Sequence, residues 1–398
     1  MILVKNKNIK WKLKLILFTI CGFLIIFFSI INNCSSTNSQ LHNKVAIKIP
    51  PPPSGSRHYY LGFNPWPYAA TVEAVDWTYN SINENGDILA HHIEEGVPWS
   101  EAENGKPFAD DFENSLKMRI EKTSADKKIF LSLNSINVAR NGLALYRGKA
   151  INMELPEQWK SVKLNSQQVK LVYLKYILRM IEIFKPQYLA IGIEVNLLIR
   201  NTPALWPQYL DLHRNIYSEI KKRHPKLKIM ATVDANPHLE GYTDEDNYKA
   251  QIKGLQELLP YVDMLGVSVH PVMSKYHADF LPPDIFDKIF TFTKKPIAIT
   301  ESSYPAQIWT IKVNGMKFDF NGSEVKQNNF LLTMLNAAEK YRSPFVINFT
   351  IRDYDELWKS IGSPDAALPW RDTGFYDADG SPRLALRTWK KALALPLH

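Results

Sequence analysis

Cysteine is almost absent from this 398-residue chain: there are two, Cys21 and Cys34, and both fall within the first 34 residues. The rest of the protein therefore has neither a disulfide nor a thiolate metal site. Acid is missing at the start too. Residues 1–33 carry five lysines (5, 7, 10, 12 and 14) and no Asp or Glu, so of the net charge of +8 only 8 − 5 = +3 belongs to the remainder. That remainder has no basic stripe and no recognition motif, which argues against nucleic acid as a partner. No Gly-rich turn follows an early strand, as a dinucleotide-binding open sheet would require. Neither His-x-His nor His-Glu-x-x-His occurs, so the histidines do not spell a metal site, and no cofactor is called for.

What is present begins with a leader. A Lys-rich stretch precedes the apolar run Leu15 to Ile31, which ends in Asn-Asn-Cys34. A lone Cys after such a run resembles a bacterial lipoprotein cleavage site, although Asn33 stands where a small residue is usual. Residues 1–34 read as a signal peptide or membrane anchor, with Cys34 the lipidation candidate. The chain is expected to be exported to the cell envelope, held by lipid or by an uncleaved anchor, with plain secretion the third reading. Residues 35–56 are a polar, Pro- and Ser-rich tether. Residues 57–398 then alternate short apolar runs with amphipathic helices, in a composition (45% hydrophobic, 22% charged) that suits a folded globular domain, expected to be monomeric.

The strand candidates are 59–64, 87–92, 128–134, 188–194, 228–234, 264–270, 296–301 and 345–350. Helices are expected over 166–184, 206–223, 247–259, 284–293 and 324–341. Eight strands with intervening helices predict an α/β fold, a (β/α)8 TIM barrel in a single domain. Two long segments, 134–165 and 302–323, follow the third and seventh strands, where barrel loops shape a substrate cleft.

Two strands close on an acid: Tyr188-Leu-Ala-Ile-Gly-Ile-Glu194 and Pro296-Ile-Ala-Ile-Thr-Glu301. Barrel interiors are filled by apolar side chains, so acids at the C-terminal rim face a ligand. Glu194 and Glu301 are therefore the candidate catalytic pair, since two carboxyl groups are the minimum equipment for glycosidic cleavage. The other rim groups are candidate substrate-binding residues. They are Asn64 and Trp66 after the first strand, His91, His92 and Trp99 after the second, Asn134, Asn196, Asp234 and His270 after the third to sixth, Tyr304 and Trp309 after the seventh, and Arg352 after the eighth. Adjacent residues on a strand face opposite ways, so only one of His91 and His92 can face the mouth. Arg352 is also placed to form a rim salt bridge with Asp353, and each Trp to serve as loop packing.

On these residues the chain resembles the barrel glycoside hydrolases whose acid/base Glu follows strand four and whose nucleophile Glu follows strand seven. It is most similar to the endo-β-1,4-galactanase family. Ile191-Gly-Ile-Glu194-Val-Asn resembles that family's Gly-Asn-Glu segment, Ile299-Thr-Glu301-Ser-Ser-Tyr-Pro its Thr-Glu segment, and Leu265-Gly-Val-Ser-Val-His-Pro271 its sixth strand. The ending Asp372-Thr-Gly-Phe-Tyr-Asp-Ala-Asp-Gly-Ser-Pro-Arg383, followed by Trp389, resembles the last strand-to-helix passage of many such enzymes. The resemblance implies a retaining glycoside hydrolase on a β-linked polysaccharide or oligosaccharide, with Glu194 as acid/base and Glu301 as nucleophile. It departs at Ile193, where the clan places an Asn that bonds the sugar 2-OH; Asn196 is the nearest substitute. That departure keeps open a non-catalytic glycan- or protein-binding surface lipoprotein on the same scaffold. A metal-dependent hydrolase built on His91, His92, His270 and Asp234 is the other alternative.

Overall fold

The computed structural model describes residues 51–243, 247–276, 281–313 and 316–398. The leader, Cys34 and most of the tether lie outside them. Among the described residues no helix is long and apolar enough to cross a membrane.

The first strands are β1 (Tyr60–Phe63), β2 (Ile88–Ile93), β3 (Lys128–Leu133) and β4 (Tyr188–Ala190). The fifth barrel strand is split at Ala231 into β5 (Lys228–Met230) and β6 (Thr232–Asp234). Then come β7 (Leu265–Val269), β8 (Ile297–Ser302), the hairpin β9 (Ile308–Val313) and β10 (Met316–Asn321), and β11 (Phe345–Asn348). The main sheet runs β5-β4-β3-β2-β1-β11-β8-β7-β6, with every neighbouring pair parallel. Its two ends are halves of one strand: β5 pairs with β4, and β6 with β7. The sheet therefore closes on itself as the eight-stranded barrel that the alternation predicts.

Period-two alternation fills both sides of the wall. Ile88, Ala90, Phe130, Ala190, Met230, Ala298 and Ile347 make an inner cluster, while Leu89, Leu131, Leu189, Ile229, Val267 and Ile299 pack outward into the helix layer. The helices over Gln167–Phe184, Trp206–Arg223, Tyr248–Leu258 and Glu324–Lys340 match expectation. Ser166 and Ser323 cap the first and last by accepting from the backbone N–H of Val169 and Lys326. The helix expected over 284–293 stops at Ile289, and past it both the N–H and the Oγ1 of Thr291 donate to the Lys288 carbonyl, three residues back.

The strand expected over 188–194 also ends early, at Ala190. The chain then steps off the ladder beside the split fifth strand. Thr232 N–H donates to the Gly192 carbonyl, Val195 N–H to the Thr232 carbonyl, and Glu194 N–H to Thr232 Oγ1 at 2.8 Å. Glu194 itself is left-handed, with φ 45°. Gly192 permits the step, since a Cβ there would lie 2.1 Å from Tyr209 Oη. Of the two long segments, 302–323 folds into the β9–β10 hairpin, and 134–165 is pinned by single bridges at Ile136–Leu143 and Tyr146–Met153.

Candidate active site

Five ends of barrel strands converge on one cavity at the C-terminal mouth. Its lining includes His92 on β2 and Glu94 just after it, Ile193 and Glu194 after β4, Asp234 at the end of β6, His270 after β7 and Glu301 on β8. Leu197, Arg200, Thr243, Met273 and Trp370 complete the wall. A wider groove between Leu281 and helix Glu324–Lys340 holds Tyr304 and Phe330, but its one acid, Asp287, is paired with Lys340 at 2.7 Å. The cavity at the mouth, with its opposed acids, is where chemistry can occur.

Glu301 owes its place to an irregularity. The β7–β8 register shifts between Val267 and Ser268, so that Val267 pairs with Ile299 but Ser268 with Glu301. The extra residue re-aims the strand end into the mouth. Two imidazoles hold the carboxyl: His270 Nε2 lies 3.2 Å from Oε1 and His92 Nδ1 lies 3.7 Å from Oε2. His270 is oriented in turn by a 2.7 Å hydrogen bond between Nδ1 and Ser303 Oγ. Burial opposes charge on both rings. Glu301 with Glu194 and Asp234 around His270, and Glu94 with Glu301 and Glu194 around His92, outweigh it and raise both pKa values above the ordinary imidazole value.

Glu194 is raised to about 7, first by burial and then by the Asp234 charge, with Glu301 adding to the rise; Arg140 and His270 pull the other way. A largely buried carboxyl (side chain 16% exposed) that keeps its proton near neutrality is a general acid in waiting. Its left-handed backbone is strain that the Thr232 hydrogen bond and the cramped Gly192 step hold in place, as functional sites commonly show.

The cavity thus brings together Glu194, Glu301, His92, Asp234 and His270. Asn134 stands just behind, donating to Glu94 Oε1 at 2.6 Å. The others are elsewhere. His91 faces outward, its ring 4.9 Å from Phe184 and its Nε2 3.1 Å from Thr123 Oγ1; burial, with Arg119 nearby, holds its pKa well below the usual value. The set His91, His92, His270 and Asp234 is therefore not assembled, because strand parity sends the two neighbouring histidines apart. Asn196 does not substitute at the position of Ile193: its side chain bridges both backbone groups of Asp234 and Gln251 Oε1. Trp99 is fully buried against Trp159, its Nε1 donating to the Ala144 carbonyl. Trp66 packs on Phe349, Trp309 on Phe320, and Tyr304 on Phe320 and Phe330. Asn64 is buried outside the cavity lining. Arg352 lies 3.8 Å from the Tyr68 ring centre and donates to the Ala378 carbonyl, while Asp353 is gripped by Arg383 at 2.6 and 2.7 Å, so the expected Arg352–Asp353 bridge is not made. Consecutive residues again diverge.

Seven residues at the site were not expected from sequence: Glu94, Leu197, Arg200, Thr243, Met273 and Trp370 in the cavity lining, and Arg140 beside Glu94 and Glu194. Glu94 had a signal, since it follows His92 by two and so faces the same way. Arg140 and Trp370 come from long loops, where no periodicity marks a direction. Among the described residues Asp353, Asp355 and Asp372 form one close acidic group, compensated by Arg383 and Arg371.

No protein-family model matches the chain, and no curated protein matches it in sequence. Solved structures do. The exo-β-1,4-mannosidase of an Opitutaceae bacterium aligns with a TM-score of 0.57 at 14% identity, over 86% of this chain and 60% of its own length. The GH53 catalytic domain of Ignisphaera aggregans aligns at 0.55 and 15%, over 87% and 99% of the two chains. A GH5_18 protein from Bifidobacterium longum in complex with Manβ1-4GlcNAc aligns at 0.59 and 11%, over 86% and 80%. The chain thus spans about 60% of the mannosidase. At these identities the likeness establishes the fold: a (β/α)8 barrel of the kind found in glycoside hydrolases.

Proposed function

We propose that this protein is a retaining glycoside hydrolase that cleaves β-linked bonds in a polysaccharide or oligosaccharide. The observation that carries the proposal is the unequal pair in one cavity: Glu194, protonated up to about pH 7, and Glu301, held by two imidazoles. Glu194 protonates the glycosidic oxygen as Glu301 attacks the anomeric carbon. Glu194 then takes a proton from the water that opens the glycosyl ester. His92 and His270 orient the Glu301 carboxyl. Ile193, Leu197, Met273 and Trp370 offer apolar surface to the C–H faces of a sugar, and Asp234 a hydrogen-bond acceptor for its hydroxyls. The similar folds named above support the class, since one is described as an exo-β-1,4-mannosidase and another was solved with a β1-4-linked disaccharide.

The test is product release from a panel of β-linked glycans by wild type beside Glu301→Gln. Release by wild type alone is expected. A second reading, a barrel that binds glycans without cleaving them, is favoured by Ile193 lining the cavity in place of a hydrogen-bonding side chain. Binding without release by wild type selects it.

The acid assignment carries a pH signature. Because Glu194 must hold its proton, kcat/KM on a natural glycan is expected to fall as pH rises through about 7. An aryl glycoside with a dinitrophenolate leaving group needs no proton, so its fall should weaken or vanish. A natural-substrate profile that already falls at about pH 5, near the ordinary carboxylate range, contradicts the assignment.

The leader extends the proposal to location. Acylation of Cys34 would hold the barrel at the envelope on its Pro-rich tether. Metabolic labelling with a fatty acid is expected to mark wild type and spare Cys34→Ala. Equal labelling of both removes the lipid anchor.

A further inference from the structure

Glu94 and Arg140 have no part in the two-acid mechanism, yet they are charged groups buried at its centre. The Arg140 side chain is 1% exposed and the Glu94 side chain 9%. Arg140 Nη1 donates to Glu94 Oε1 at 2.6 Å and to the carbonyls of Asn137 and Val138, so its own loop locks the guanidinium. Its Nη2 makes no hydrogen bond among the described residues and faces Glu194 Oε2 at 3.8 Å. Glu94 Oε2 lies 3.6 Å from His92 Nε2, and His92 Nδ1 lies 3.7 Å from Glu301 Oε2. One carboxylate therefore stands between the cation beside Glu194 and the imidazole beside Glu301.

We propose that Glu94 is a positioning residue: it divides the charge of Arg140 between itself and Glu194, and so sets how readily Glu194 gives up and recovers its proton. The proposal rests on the acid/base reading of Glu194 given above. In the first step the Glu194 proton passes to the glycosidic oxygen, the C–O bond breaks and the Glu301 ester forms. Glu194 is then a carboxylate beside Arg140 Nη2. In the second step water adds at the anomeric carbon, its proton returns to Glu194 and the ester breaks. A guanidinium attending Glu194 alone would favour the carboxylate throughout and leave too little of the protonated form near neutral pH. Sharing it with Glu94 leaves an attraction strong enough to steady the carboxylate and weak enough to release it. Burial would push the Glu94 carboxyl up, but Arg140, His92 and Asn134 overcome it and hold it at about 2, so Glu94 stays ionised through the cycle. The other charges facing Glu194 are Asp234 and Glu301, which favour its proton, and His270 and His92, which oppose it.

The test is a set of pH profiles. Glu94→Gln keeps the shape but removes the charge, leaving Arg140 to Glu194. The basic limb of kcat/KM on a natural glycan should move down by about one pH unit or more, the usual effect of a charge at this range. Arg140→Met should move it up by a similar amount. Glu94→Asp should stay near wild type, and the double variant Glu94→Gln with Arg140→Met, which strands neither charge, should fall between the singles. Reduced rates without opposite displacement of the limb would make the pair a structural bridge and overturn the proposal. Infrared titration of the Glu194 carboxyl, identified by its loss in Glu194→Gln, reads the same displacement without turnover. Opposite shifts in a protein that cleaves nothing would keep this network and reject the hydrolase. Cleavage that depends on both acids, with an unshifted Glu194 titration in Glu94→Gln, would do the reverse.

Discussion

Glu301→Ala is expected to abolish hydrolysis of natural glycans and aryl glycosides alike, by roughly four orders of magnitude or more, because no glycosyl ester can form. Leaving-group quality cannot rescue it, since the missing bond is on the other side of the anomeric carbon. External azide, small enough to occupy the emptied space between His92 and His270, is expected to restore part of the turnover and yield a glycosyl azide of inverted configuration. The measurement is the rate on both substrate classes with the product anomer read by proton NMR. Unchanged hydrolysis would remove Glu301 from the mechanism.

Glu194→Ala should behave differently. On a natural glycan, whose leaving alcohol needs a proton, the loss should be roughly two to four orders of magnitude. On a dinitrophenyl glycoside the first step should survive, because that leaving group departs as the anion. The glycosyl enzyme should then accumulate for want of a base, and azide should relieve it, giving a glycosyl azide of retained configuration. Pre-steady-state release of dinitrophenol measures the first step alone. If Glu194→Ala were equally inactive on both substrates while Glu301→Ala kept the activated one, the two roles would be exchanged.

The contrast between these residues also shows what a sequence exposes. Glu301 was legible because β8 is a plain apolar run ending at the rim, although the register shift that aims it was not. The pattern that points to Glu194 misleads in part. The run 188–194 reads as one strand, but pairing ends at Ala190, and the glutamate reaches the cavity through a left-handed step. Apolar composition cannot distinguish a ladder from a chain lying beside a broken one, because both bury the same surface. Parity correctly allowed one histidine of the pair into the mouth, and the same rule extended by two residues marks Glu94. Trp99, Trp309 and Tyr304 were placed by their distance from strand ends. Large rings gain most by burial, and here other aromatic rings supply it, so loop aromatics pack among themselves. Trp370 does line the cavity, 6.1 Å from the His270 ring, but arrives from a passage after β11 whose path no local pattern reveals.

In the proposed mechanism Glu301 becomes covalently bonded to the sugar while Glu194 handles the proton, so the glycosyl ester can be trapped. Wild type would be incubated with dinitrophenyl 2-deoxy-2-fluoro-β-glycosides of mannose, galactose, glucose and xylose, whose fluorine slows both steps while the good leaving group speeds only the first, so that the ester accumulates. Proteolysis and mass spectrometry would then locate the label. The expected result is one fluoroglycosyl group on Glu301 for whichever sugar the cavity accepts, with none in Glu301→Gln. A label on Glu194 or Glu94, or steady hydrolysis of a natural β-linked glycan with inversion at the anomeric carbon, would contradict it.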